Sequence, residues 1–137
     1  MSAMLRAAGP DFDVDRFLAD CTLSVSSIHR KGHRRGGPKS PKHERSGLNV
    51  LVSEATFEQF PRQTEDAIVF LRKHGKEVRR LSQFPGVDVV SLDFGIARRD
   101  VAVQSTYLNA ELIHLAGRLG LAIELSHYPP LDSEGSR

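Results

Sequence analysis

Residues 87–97 read VDVVSLDFGIA, and their alternation decides the fold. Val90, Leu92, Phe94 and Ile96 share one face of an extended chain, while Asp88, Ser91, Asp93 and Gly95 lie elsewhere. A period of two with β-branched and aromatic residues is the mark of a strand, since successive side chains point to opposite faces. Pro85-Gly86 turns the chain into it, and Arg98-Arg99-Asp100 leads out of it. Beyond, 101–107 alternates again, with Val101, Val103, Ser105 and Tyr107 on one side. The expectation is a second strand paired antiparallel to the first.

Working toward the N-terminus, Pro61 offers a helix start and 64–74 is the clearest helix, with Ala67, Ile68 and Leu71 as its buried stripe and Gly75 as its stop. A second helical piece is expected over 76–84, with Val78 and Leu81 inward. LNVLVS at 48–53 reads as a strand, as does 22–29 with Leu23, Val25 and Ser27 on one face. Asp13 is a natural N-cap for a helix over 14–20, and 4–8 is a short opening strand ended by Gly9-Pro10. Toward the C-terminus, Asn109 caps a helix over 110–118 and Gly120 ends it. A last strand follows at 121–127, then Pro129-Pro130.

Together these elements predict a single α+β domain over 1–130, with a mainly antiparallel sheet, two to three helices on one face, and 131–137 as a disordered tail. A ferredoxin-like split β-α-β half is the first topology expected. The predicted core is Phe17, Leu51, Ile68, Leu71, Leu92, Phe94, Leu115, Leu119 and Ile123.

Residues 29–45, HRKGHRRGGPKSPKHER, hold seven Lys or Arg and three His against the single acid Glu44. Without this segment the 19 bases and 17 acids of the chain become 12 and 16, so the net charge falls from +2 to −4. The chain is an acidic domain carrying one basic loop, at 32–46, which its glycines and prolines make flexible. The lone Cys21 excludes an internal disulfide. No apolar run approaches the ~18 residues needed to span a bilayer, and the N-terminus lacks a signal-like core, so no membrane role and a cytoplasmic address are expected.

The lead DFDVDRFL at 11–18, the Arg30-Lys31-Gly32 triplet after the second strand, the mid-chain helix and the closing NAELIHLAGRLGLAIELSHY at 109–128 resemble a family of small bacterial proteins catalogued as domain of unknown function 4279. The resemblance runs from about Met4 to Tyr128. It implies a fold and a bacterial origin and brings no catalytic residues. The long basic insertion after Gly32 is this chain's own.

Chemistry-bearing patterns are few. Glu111 and His114 share a helix face, but one such pair does not make a metal site. Cationic neighbours oppose metal capture by His29, His33 and His43. Neither a metal site nor a cofactor is implied, and no nucleophile motif or phosphate loop is present. Asp93 on a sheet face could join His127 and Tyr128 in a shallow polar site.

The basic loop, through Arg30, Lys31, Arg34, Arg35, Lys39 and Lys42, is either a solvated insertion or a polyanion contact without base stacking. The first expectation is a binding domain for a protein partner or a second copy. The alternative is weak, sequence-independent binding of nucleic acid or phosphate. The third reading is an enzyme of unknown substrate using Asp93 and His127.

Overall fold

The computed structural model describes residues 2–130. Five strands, β1 (Ala3–Gly9), β2 (Ser27–His29), β3 (Ser46–Ser53), β4 (Val89–Ala97) and β5 (Ala122–Tyr128), form one sheet in the order β2-β3-β1-β4-β5. Three helices accompany them: α1 (Val14–Leu18), α2 (Phe60–Ser82) and α3 (Ala110–Arg118). The first four strands pair antiparallel throughout, so β3 lies between the parallel pair β1 and β2. β5 then runs parallel to β4, with α3 as the crossover. The fold is α+β, a five-stranded, mostly antiparallel sheet with three helices.

Register explains the core. Ala3, Leu5 and Ala7 stand beside Phe94, Leu92 and Val90 on one face, and Leu48 and Val50 of β3 join them. All are buried, and they pack with Phe17, Leu71, Val78, Leu81 and Leu112 from the helices. Phe60 meets Phe94 edge-on at 5.5 Å between ring centroids. The other face carries Arg6, Asn49, Ser91 and Asp93. Flanked by strands on both sides, β4 is buried from Val90 through Ala97 on both faces. The predicted core holds for Phe17, Ile68, Leu71, Leu92 and Phe94. Leu51 falls on the face without helices and is half-buried, as are Leu115, Leu119 and Ile123.

Three local expectations are corrected. Residues 101–107 form no strand: Val101, Val103 and Tyr107 are exposed in an irregular segment. The reason is topological, because β1 and β5 already occupy both edges of β4. The second strand begins at Ser27 rather than 22; the Thr22 amide donates instead to the Glu77 carboxylate of α2. The break expected at Gly75 falls one residue earlier, at His74, and the second helical piece expected beyond it follows to Ser82. The helix bends at His74 (φ −111°, ψ 19°) and continues, because Val78 and Leu81 are fully buried and their burial outweighs the roughly 1 kcal/mol penalty of an interior glycine.

Candidate functional site

The basic segment extends the β2–β3 hairpin. β2 and β3 pair Ser27 with Asn49, and the isolated bridge Arg34–Lys42 falls in the same register. Backbone bonds continue the ladder: Gly32 N to His43 O at 2.8 Å, His43 N to His33 O at 2.8 Å and Arg35 N to Pro41 O at 3.1 Å. A turn at Arg30–His33 (His33 N to Arg30 O, 3.0 Å) bends the outgoing strand, with Gly32 supplying the positive φ of 85°. Ser40 closes the tip by accepting from Gly36 N and donating to Gly37 O. The loop expected at 32–46 is therefore a ribbon with its own hydrogen bonds.

Its charges divide into two groups. Arg30 grips Asp15 of α1 through both carboxylate oxygens, at 2.7 and 3.1 Å, and Arg45 pairs with Asp88. These two anchor the base of the arm to the body. The Arg30 guanidinium holds the Asp15 carboxyl below its usual range, and Asp15 raises Arg30 in return. Lys31, Arg34, Arg35, Lys39 and Lys42 are exposed and have no carboxylate partner among the described residues; Arg34 donates to the Ser40 carbonyl. His29 and His43 pack at the base with tilted rings, 4.8 Å between centroids. Burial, then His43 and Arg35, push the His29 pKa down.

Asp93 lies at the centre of the open sheet face, fully engaged. It accepts from Arg6 Nε at 3.1 Å and from Ser126 Oγ at 2.6 Å. Arg6 reaches on to Asn49 (3.2 Å), and Asn49 to Ser27 (2.9 Å). Five side chains thus form a hydrogen-bonded string across all five strands, Ser27–Asn49–Arg6–Asp93–Ser126. A carboxylate that accepts a donor on each oxygen in this way acts as a structural acceptor tying β1 and β5 to β4.

The expected polar trio separates. Tyr128 shares the open face with Asp93 but stacks on Phe57, with ring centroids 4.5 Å apart, above Gly95. His127 is exposed and aligns with Ile96, so strand alternation turns it to the opposite face. Burial raises the Cys21 thiol, which keeps it protonated near neutrality. Glu111 is engaged by Arg72 rather than paired with His114. Among the described residues no three His, Cys, Asp or Glu side chains converge as metal ligands do, and no helix is long and apolar enough to cross a membrane.

Among the described residues two of the cavities at the surface stand out, and none of Asp93, His127 and Tyr128 lines either. One, about 460 Å³, lies between the start of α2, the end of β4 and the 98–109 segment. Gln104 holds that segment in place by accepting from Arg99 N and donating to Ala97 O. The other, about 570 Å³, is a groove between α2 and α3. Sequence reasoning missed both. The cationic positions Arg72, Lys76 and Arg79 along one side of α2 were the visible signal of the second. Comparison with family models, with curated proteins and with solved structures finds no match to this chain.

Proposed function

We propose that this chain is a small binding module that docks a polyanion backbone, nucleic-acid phosphate above all, on its basic arm. The observation that supports this most is the division of charge. Arg30 and Arg45 fix the arm to the body, while Lys31, Arg34, Arg35, Lys39 and Lys42 project without carboxylate partners. A ribbon of two strands can follow a groove or a phosphate track, and neutralising phosphates releases counterions. The arm carries no Phe, Tyr or Trp, so contact is with the backbone and ignores base sequence. The same proposal keeps the resemblance to domain of unknown function 4279, from about Met4 to Tyr128, and a cytoplasmic place of action. An enzyme has less support, because Asp93 is committed to Arg6 and Ser126 and lines neither cavity.

Fluorescence anisotropy of a labelled duplex at ~50 and ~200 mM salt tests the proposal, the range over which counterion release is felt. With up to five phosphates neutralised, log K should fall with log salt at a slope of about −4 to −5. Changing the five free cations to Ser should abolish binding and leave the melt unaltered. Absence of binding at the lower salt, or binding that survives the fivefold change, overturns it.

A further inference from the structure

α2 and α3 run side by side in the same direction and are tied at two levels. At one, Arg72 pairs with Glu111; at the other, Arg79 donates to the Arg118 carbonyl at 2.8 Å and Ser82 to that of Leu119 at 2.7 Å. The 570 Å³ groove lies along this pair, lined by residues of both helices. Its apolar floor is Leu71, Leu115 and Leu119, the last two only half-buried. Its rim is cationic: Lys76, Arg79 and Arg118 are exposed, and the one acid nearby, Glu111, is engaged by Arg72.

Gly75 lies in this wall, near the middle of the longest helix. An interior glycine costs roughly 1 kcal/mol relative to alanine. Its φ is not among the positive values of this chain, and it adjoins the bend at His74. A Cβ there would meet only Leu119 Cδ2, at an ordinary 3.8 Å. What the missing side chain provides is room above the leucine floor.

We propose that the α2–α3 groove is a docking site for an acidic amphipathic segment of a partner protein. Charge complementarity selects the occupant. Apolar side chains at helical spacing would lie on the half-buried Leu115 and Leu119, and carboxylates on the flanks would meet Lys76, Arg79 and Arg118. From Arg72 to Arg79 the wall is about 10 Å long at 1.5 Å per residue, so the groove takes about two turns of helix. The site is separate from the arm and does not rest on its function.

The probe is a fluorescein-labelled helical peptide of three to four turns, Leu on one face and Glu on the other, with a Lys-for-Glu version as control. The expected result is saturable, salt-sensitive binding of the Glu peptide to the full-length chain, and none of the Lys peptide. Binding should persist when Lys31, Arg34, Arg35, Lys39 and Lys42 are all Ser. It should weaken at least tenfold in Lys76→Glu/Arg118→Glu, whose changes are on the surface and spare the fold. Gly75→Leu, which fills the groove and keeps every charge, should weaken it as much while its melt stays cooperative. The proposal is overturned by no binding to the wild type, by binding that Lys76→Glu/Arg118→Glu leaves intact, or by binding lost with the arm charges. It is equally overturned if phosphatidylglycerol vesicles bind at this groove and the peptide does not.

Discussion

Arg6 donates its Nε to Asp93 Oδ2 at 3.1 Å across the β1–β4 pair, joining residues 87 positions apart in the chain. The Asp93 side chain is only 11% exposed, against 42% for Arg6, so the carboxylate is the more sheltered partner. Its burial is tolerable because Ser126 supplies a second donor. Removing the carboxylate leaves two donors on a sheet face without their acceptor. Asp93→Ala is expected to destabilise the domain by about 1.5–3 kcal/mol, the range for hydrogen bonds to charged groups. Urea midpoints at an unchanged m-value check this. A midpoint equal to wild type would return Asp93 to the pool of residues kept for chemistry.

Gly95 tests the aromatic lid on the same face. A methyl there would stand 2.7 Å from Phe57 Cε1 and 3.1 Å from Tyr128 Cε2, closer than carbon atoms pack. Gly95→Ala must therefore push the Phe57–Tyr128 stack off the strand, at a cost of about 1–3 kcal/mol as in other overpacked sites. Near-ultraviolet circular dichroism follows the Tyr128 environment directly. Retention of its signal, with no loss of stability, would show that the stack rides over the strand loosely.

Most of the secondary structure was legible because burial follows period. The alternation at 90–96 and the stripe Ala67, Ile68 and Leu71 placed β4 and α2. The Asp13 and Asn109 caps are both formed, accepting from Arg16 N and Leu112 N. The main failure has a plain cause, since local pattern carries no information about which strand edges are free. Residues 101–107 have a strand's alternation, but both edges of the preceding strand β4 are taken by β1 and β5. At Gly75 the expected break is displaced only to His74, and the expected second helical piece follows with Val78 and Leu81 in the core. The site was half legible. The arm's charge was plain, but its ladder was hidden by Gly36, Gly37, Pro38 and Pro41, none of them a strand former. The commitment of Asp93 depends on Arg6 and Ser126, which topology alone brings together.

Arg80 links α1 to α2. Its guanidinium lies 4.1 Å from the centroid of the Phe17 ring, donates to the Phe17 carbonyl at 3.0 Å and holds Glu77 at 2.8 Å. Arg80→Lys keeps the charge but loses the planar stack and the fork, and is expected to destabilise by about 1–2 kcal/mol. Glu77, hydrogen-bonded by Arg80 and held below its usual pKa, adds an acid dependence. Its contribution is present above its ordinary value of 4.5 and is lost as pH falls through its lower folded value. Stability curves of wild type and Glu77→Gln from pH 6 to 2 should converge at the acid end. Parallel curves would assign acid unfolding to other carboxylates.

The arm should be separable from the domain that carries it. Residues 33–43 contribute no fully buried side chain, and the ties to the body, Arg30–Asp15 and Arg45–Asp88, lie outside them. Replacing 33–43 with a short Gly/Ser turn is expected to shift the thermal midpoint by less than about 5 °C, which for this size is about 1–2 kcal/mol. The change also removes His43 and Arg35, two of the three influences that lower His29. In the intact chain His29 is favoured neutral, so the unfolded state binds its proton more readily. The arm's base is therefore fully stable above the ordinary pKa of 6.5 and weakens as pH falls through the lower folded value. Proton NMR of the His29 ring should give a pKa below 6.5 in the intact chain and a higher one in the shortened chain. Equal values in the two would leave burial against the sheet as the whole cause, and would make the His29–His43 contact irrelevant to how the arm responds to acid.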